Sequence, residues 1–399
     1  MKKIFSILLI LLTVSGMAFA KDRYYSPSFS WVSPEVKGQG GSFVSNGSGY
    51  NSLLVNPASF EKSREKEKKD GEIKKKGEVT LLSIGAGYSG DLFTYLEESR
   101  AGDKEIVELM LDQVTSNGMG ASVQIGGGYV GRRFGFGFIT VAEMDAPPVE
   151  TTLGITGDLM LTSGLVAGYA HPFELGQFKL VVGGDVRPMY RFVAKDIDIA
   201  ALTGSVPDTA GGGDTSGEIS FSSVNAMAGI GVGFDLGVDF YWRDLITSLT
   251  MRDIGNTRYF FKPVEAAFGM QFANETIDEI YVTPWTMNFG ISYHPTLGKL
   301  NKFVDPTIHG AFSQPLVSED SLYGYDSQSF WSRLDLGAEV VLLSSVALRA
   351  GLQGGYFTAG FGLDLFFIEL NGALYADEMG SHAGDQPEMG GSLEFAIRY

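Results

Sequence analysis

Alternation with a period of two residues constrains this chain more than any other feature. In the last nine residues, Leu393, Phe395, Ile397 and Tyr399 fall on one face of an extended strand. Glu394, Ala396 and Arg398 fall on the other. One greasy face and one wet face is the signature of a half-buried strand. The pattern runs to an aromatic carboxy-terminal residue. Taken alone it suits a soluble strand as well as the last strand of a membrane barrel. In a barrel the closing strand must pair with the first, so that no edge is left in lipid.

The same pattern recurs through the chain. Ile230, Val232, Phe234, Leu236, Val238, Phe240 and Trp242 oppose Gly231, Gly233, Asp235, Gly237, Asp239 and Tyr241, the clearest alternation present. Phe178, Leu180, Val182, Val186 and Tyr190 oppose Lys179, Asp185, Arg187 and Arg191. Leu334–Leu342, Val346–Gln353 and Ile368–Leu374 repeat the scheme. Val79–Tyr88 reads as the first strand, and Ser122–Val130 and Phe134–Val141 flank a turn at 131–133. Trp285–Tyr293 and Pro306–Phe312 are weaker strands; Ser318–Ser329 and the Gly-rich Val206–Gly217 read as loops. About fourteen strands result, and an even number is required if both barrel ends lie on one side.

Three observations favour a membrane barrel over a soluble sandwich. Lys2 and Lys3, an apolar run from Ile4 to Val14 and Ala18-Phe19-Ala20 form the expected signal peptide, 1–20, leaving residues 21–399. No later segment is long and apolar enough for a membrane helix, so a chain placed in a bilayer must cross it with strands. Phe and Tyr, 28 and 17 in number, collect near the strand ends, as interfacial girdles do. No repeat of fixed period points to a propeller or solenoid. The fold class expected is therefore all-β: a transmembrane antiparallel β-barrel of about fourteen strands in the outer membrane.

Charge and motif content narrow the function. A net charge of −17 disfavours nucleic acid as a partner. There is no cysteine, and the four histidines (171, 294, 309 and 382) have no metal-ligand spacing. Gly126-Gly127-Gly128 opens no phosphate-binding helix, and no nucleophile elbow is present. No enzyme activity, metal or cofactor is expected. Asp235 and Asp239 share the wet face of one strand, where solvation in a lumen is the plain reading.

Three segments interrupt the strand pattern. The Gly/Ser-rich stretch from Lys21 ends in a turn at Asn56-Pro57-Ala58, with Leu53, Leu54, Val55 and Phe60 around it. The charged run Glu61–Glu78 reads as a solvated loop or exposed helix. Apolar residues between Leu92 and Val114 recur at three- and four-residue spacing, an amphipathic helical insertion over about 92–116.

This arrangement resembles the FadL family of outer-membrane long-chain fatty acid transporters, and more narrowly its spirochaete, Treponema-type relatives. The resemblance rests on the signal peptide, the Asn56-Pro57-Ala58 turn, the helical insertion and the strands that follow. Tyr375–Pro387 before the last strand has the look of the spirochaete group, and Met251–Asn256 is similar to a strand end of PorV-like secretion barrels. The family likeness implies a hatch, residues 21–78, plugging a barrel of residues 79–399. It implies passive, ligand-gated diffusion of hydrophobic molecules, with Leu53, Leu54, Asn56, Pro57, Ala58 and Phe60 as hatch or ligand positions. The partners implied are outer-membrane lipid, hydrophobic small molecules and the barrel assembly machinery. The charged run directly after the turn departs from the family pattern. A general diffusion porin and a PorV-like accessory barrel for secretion or assembly are the alternative readings.

Overall fold

The computed structural model describes residues 23–29, 33–62, 64–67, 73–90, 118–146, 156–198, 225–265, 271–272, 280–318, 321–378, 382, 384 and 387–399. The expected signal peptide, the helical insertion and the Val206–Gly217 loop lie outside these residues.

The alternating segments form one antiparallel sheet that closes on itself. Its first six members are β4 (Glu78–Ser89), β5 (Met119–Gly131), β6 (Phe134–Ala146), β7 (Thr156–Leu175), β8 (Phe178–Asp198) and β9 (Asn225–Trp242). The seventh barrel strand is split into β10 (Leu245–Arg252) and β11 (Thr257–Glu265), and the eighth into β13 (Ile280–Thr283) and β14 (Thr286–Tyr293). The last six are β15 (Val304–Pro315), β16 (Leu334–Leu342), β17 (Val346–Gln353), β18 (Tyr356–Leu365), β19 (Ile368–Glu378) and β20 (Pro387–Arg398). The result is a closed barrel of fourteen strands. A short β12 (Gln271–Phe272) pairs only with β11.

Closure is made by the strand that ends the chain. β20 pairs with β4 from Gly390↔Ser89 to Ile397↔Leu82, with a register shift before Arg398↔Thr80. Backbone bonds of 2.9 and 2.8 Å then join Val79 and Tyr399 in both directions. No strand edge remains between first and last strands, which is what lipid requires.

The two rims differ. At one rim the connections are tight, as at 132–133, 176–177, 243–244 and 366–367. Arg132 and Arg133 both have positive φ, 52° and 80°, the backbone of a hairpin turn whose twist suits the strands. At the other rim most connections are long, including 90–118 and 199–224. Height also varies around the wall. β7 and β8 have 20 and 21 residues, whereas β16 and β17 have nine and eight. A tilted membrane strand needs roughly 9–11, so one side stands tall and the other is close to the minimum.

The wall is inside-out compared with a soluble protein. Phe136, Leu165, Ile230, Phe234, Leu348, Phe361 and Leu393 are exposed on its outer face. Arg187, Arg191, Asp235, Asp239, Glu394 and Arg398 are buried on its inner face. Apolar burial is the main drive of folding in water, and a soluble domain does not expose one continuous apolar band while burying its charges. A barrel solvated by hydrocarbon does. Exposed aromatics at the tight-turn rim, among them Phe134, Phe173, Trp242, Tyr293 and Phe366, follow the interfacial pattern.

The lumen is filled by the chain's own amino-terminal segment. β1 (Arg23–Tyr25) lies parallel to β13 near the long-loop rim, from Arg23↔Ile280 to Tyr25↔Val282. The segment then runs down the inside through helix α1 (Pro34–Gly38) and two 3-10 turns, Tyr50–Ser52 and Pro57–Glu61. Ser33 caps α1 by accepting from Glu35 N, and Pro34 supplies the preset φ of its first turn. The charged run that follows differs from its expected form. Among its described residues, Arg64–Glu67 (β2) and Ile73–Lys76 (β3) pair as antiparallel strands.

Candidate functional site

The site is the contact between this hatch and the inner wall. Asn56 begins the 3-10 turn and organises its surroundings. Its Oδ1 accepts from Ala58 N at 2.9 Å. Its Nδ2 donates to Val44 O at 2.8 Å and to Asp239 Oδ1 at 2.7 Å. Pro57 at the first position of the turn has no N–H left to satisfy. The wall receives the turn at inward glycines: a methyl group at Gly237 would overlap Asn56 Oδ1, and one at Gly183 would overlap the Pro57 carbonyl. Leu53, Leu54, Ala58 and Phe60 are fully buried beside it. All six residues implied by the family likeness therefore sit together, packed against the wall.

Asp239 is not solvated, contrary to the plain reading of its strand. Besides Asn56 it accepts from Ser248 Oγ at 2.7 Å and lies 3.6 Å from Lys62 Nζ. Lys62 itself donates to Ser45 O at 2.8 Å. Burial pushes its ammonium below the ordinary lysine range, against the pull of Asp239. Glu61 opens the charged run and pairs with Lys179, with Lys62 beside it. The first two residues of that run are locks, while the sequence reading treats the whole run as solvated.

Asp235 also departs from that reading. Arg187 Nη2 donates to Asp235 Oδ1 at 2.7 Å and to Asp253 Oδ1 at 3.1 Å. Asp253 lies in the break between β10 and β11, at φ 54°. It accepts from Ser28 of the hatch at 2.9 Å, and Arg252 donates to Phe29 O at 2.7 Å. Met251 and Arg252 thus end β10, and Asp253–Asn256 form a turn that interrupts one barrel strand before β11. Its polar groups turn inward to hold the hatch.

On the low side of the barrel the contacts are ionic. Arg398 bonds Glu394 at 2.6 Å and Glu369 at 2.8 Å. Arg349 pairs with Glu339 and, at 3.5 Å, with Glu35 of α1. Glu35 also accepts from Asn51. Burial raises the Glu35 carboxyl from 4.5 to about 7, Arg349 pulling it down and Glu369 and Glu339 pushing it up. His309 is held by the hatch, with Asn46 Nδ2 3.3 Å from its Nδ1 and the Gln39 carbonyl 2.9 Å from its Nε2. Sequence reasoning missed Glu35, Lys37 and Lys62. The inward charges at Arg349, Glu394 and Arg398, visible as one face of their strands, are the signal that partners had to lie inside.

Beneath the hatch, at the tight-turn rim, lies a polar cavity of about 140 Å³ lined by Glu35, Glu78, Glu369, Lys62 and Arg398 among others. Among the described residues no group of three or more His, Cys, Asp or Glu side chains could hold a metal ion.

No protein-family model and no curated protein matches the sequence. Solved structures of similar outline do exist. The toluene transporter TodX of Pseudomonas putida has 10% identity and a TM-score of 0.47, over 94% of this chain and 98% of that one. The toluene transporter TbuX of Ralstonia pickettii has 13% identity and a TM-score of 0.46, over 93% and 98%. A FadL homologue of Pseudomonas aeruginosa has 12% identity and a TM-score of 0.43, over 94% and 99%. These likenesses concern overall outline, and the functional reading rests on this chain's own residues.

Proposed function

We propose that the protein is an outer-membrane transporter that passes hydrophobic molecules through a barrel closed by its own hatch. The observation that carries this reading is the filled lumen inside an apolar outer wall. Among the described residues, 23–29 and 33–62 pack inside the lumen against the wall. Such a barrel is unsuited to general diffusion and needs a cargo-driven rearrangement to conduct anything.

The interior also supports an apolar cargo. Phe29, Leu53, Leu54 and Phe60 of the hatch join Val130, Ile139, Val141, Val166, Val181, Met189, Tyr259 and Phe261 of the wall in one apolar cluster. That cluster lies inside a structure whose outside is already apolar. A cargo entering it loses nothing by leaving water. Long-chain fatty acids are the cargo suggested by the sequence resemblance to FadL-type transporters; toluene, named for TodX and TbuX, is a smaller hydrophobic molecule without their carboxylate. The Asn56-Pro57-Ala58 turn and its apolar neighbours are the hatch element whose displacement would open the path.

The test is uptake of radiolabelled oleate and toluene by cells of a host without its own hydrocarbon channel. Saturable, protein-dependent uptake of either one is expected. No protein-dependent uptake of either, with a properly folded barrel in the outer membrane, sinks the proposal. Stable capture of a secreted or periplasmic protein instead of uptake would favour the accessory-barrel reading.

A further inference from the structure

We infer that the tight-turn rim from β14 to β19 is a lipid-binding surface. It seats in the phospholipid leaflet that faces the periplasm, with Lys299 and Lys302 at the phosphate of an anionic headgroup. The inference rests on the outer-membrane setting of the proposed function and is independent of the cargo.

The turns at this rim are of two kinds. On the tall side their tips are Arg132-Arg133, Gly176-Gln177 and Arg243-Asp244. From β14 to β19 they carry Leu297, Leu300, Phe303, Leu343, Phe366 and Phe367, all exposed. Leu300, Leu343 and Phe366 are 62, 66 and 93% exposed. Leu343 and Phe366 also have positive φ, 53° and 62°. That backbone favours Gly, Asn or Asp in a hairpin turn, and a bulky side chain there is uncommon. Neither local conformation nor contact with water selects an apolar residue at these tips. Contact with lipid does.

The tips are tied to one another. Leu343 N donates to Phe303 O at 3.0 Å, Asp364 N to Ser345 O at 2.8 Å and Arg398 N to Phe367 O at 2.9 Å. Three neighbouring turns and the closing strand thus form one continuous edge. That edge extends the apolar wall where the wall is shortest. β14, β16 and β17 have eight, nine and eight residues, against the roughly 9–11 that a tilted membrane strand needs. A wall shorter than the hydrocarbon thickness costs free energy, and apolar turn tips add the missing height.

The β14–β15 connection supplies the charge. It holds a 3-10 turn, Gly298–Lys302, in which side chains three residues apart align. Leu297, Leu300 and Phe303 form one line, and Lys299 and Lys302, both exposed, form another beside it. The acids of this region are held by the loop's own groups. Asn301 Nδ2 donates to Asp305 Oδ1 at 2.6 Å, His294 Nε2 lies 2.6 Å from the same oxygen, and Thr296 Oγ1 donates to Asp244 Oδ1 at 2.6 Å. An apolar stripe with ammonium groups beside it suits the boundary between acyl chains and headgroups. Short turns of outer-membrane barrels face the periplasm, which makes the lipid a phospholipid of that leaflet.

The chain has no cysteine, so each single-cysteine variant carries one label. Leu300→Cys, Leu343→Cys and Phe366→Cys are labelled with an environment-sensitive dye in full-length protein. The protein is inserted into vesicles of phosphatidylglycerol and phosphatidylcholine, with folding checked by heat-dependent gel mobility. Gln177→Cys on the tall side is the aqueous reference. Iodide on both sides of the membrane should quench the three tip labels about threefold less than the label at Gln177. Three positions keep the test intact if one variant fails to insert. Native mass spectra of detergent-solubilised wild type should show phosphatidylglycerol retained over phosphatidylcholine, and the double variant Lys299→Gln, Lys302→Gln should lose that preference. Tips as open to iodide as Gln177 overturn the surface, and shielding that appears only on adding a periplasmic extract assigns it to a protein instead. No lipid preference in the wild type, or one unchanged in the double variant, overturns the headgroup site. Neither readout involves uptake, so either failure leaves the transport reading standing.

Discussion

The two sides of the lumen hold the hatch by different physics. On the tall side, β5 to β9 and β11 meet the hatch with apolar shape. Phe60 fits against Gly135 and Gly168, and Leu53 against Gly137. The charged cluster around Arg187 and the pairs Lys62–Asp239 and Lys179–Glu61 interrupt that surface. On the low side, β16 to β20 and β4 meet it with paired charges and amides, centred on Arg349 and Arg398. Shape contacts are non-directional and indifferent to salt and pH. Buried ion pairs are directional, and each is costly once one partner is lost. The low side is thus the one where a change in charge acts with the least apolar support around it.

Variants on each side sharpen or break this comparison. The largest loss is expected for Arg398→Met, which leaves Glu369 and Glu394 without their cation. Breaking a buried pair costs about 3–5 kcal/mol, read as a lowered urea midpoint for the change in gel mobility. Phe60→Ala on the tall side should cost about 3 kcal/mol, near the low end for a buried aromatic because the facing glycines allow some collapse. Its loss should be the same at pH 5 and pH 8. A neutral Phe60→Ala would mean that shape does not hold the tall side.

Asn56→Ala comes next, at about 1–3 kcal/mol, the range for leaving a buried polar partner unsatisfied. Asp239 keeps Ser248, whereas Ala58 N and Val44 O lose a partner. Limited proteolysis should cut the 33–62 segment faster in this variant than in wild type.

The last test is the pH dependence carried by Glu35. Its carboxyl titrates near 7 in the folded protein against 4.5 as a free group. Between those values the folded state binds more protons than the unfolded state. The contribution of Glu35 to hatch stability is therefore fully present at or below about pH 4.5, falls as pH rises toward 7 and levels off above it. Glu35→Gln should flatten that slope. A slope of opposite sign, or one that survives the substitution, breaks the assignment of pH sensitivity to the low side.

The barrel was legible in the sequence because each wall strand carries its own evidence. Ile230–Trp242 and Leu393–Tyr399 alternate since one face meets lipid and the other meets the hatch. The seventh and eighth strands were harder to read. Asp253-Ile254-Gly255-Asn256 and Pro284-Trp285 break the period, and only the partner strands show that each pair of pieces is one strand. The hatch interior was hardest. Its backbone follows no period, and its contacts span hundreds of residues, such as Asn56 with Asp239 and Lys37 with Asp377. The inward glycines were visible, but whether they border water or a packed hatch depends on what lies opposite. For Gly183 and Gly237 that is Pro57 and Asn56. The sequence reading grouped the six residues of the turn by family likeness, and it left Glu61 and Lys62, which tie that turn to the wall, in a solvated run.

The central claim is that the amino-terminal segment closes a lipid-embedded barrel. Planar-bilayer conductance, comparing the full chain with a variant lacking residues 23–62, tests it most directly. The account predicts no stable ion conductance for the full chain and a steady, open pore for the deletion variant. A full chain that conducts ions as a wide pore, at the same level as the deletion variant, would contradict it.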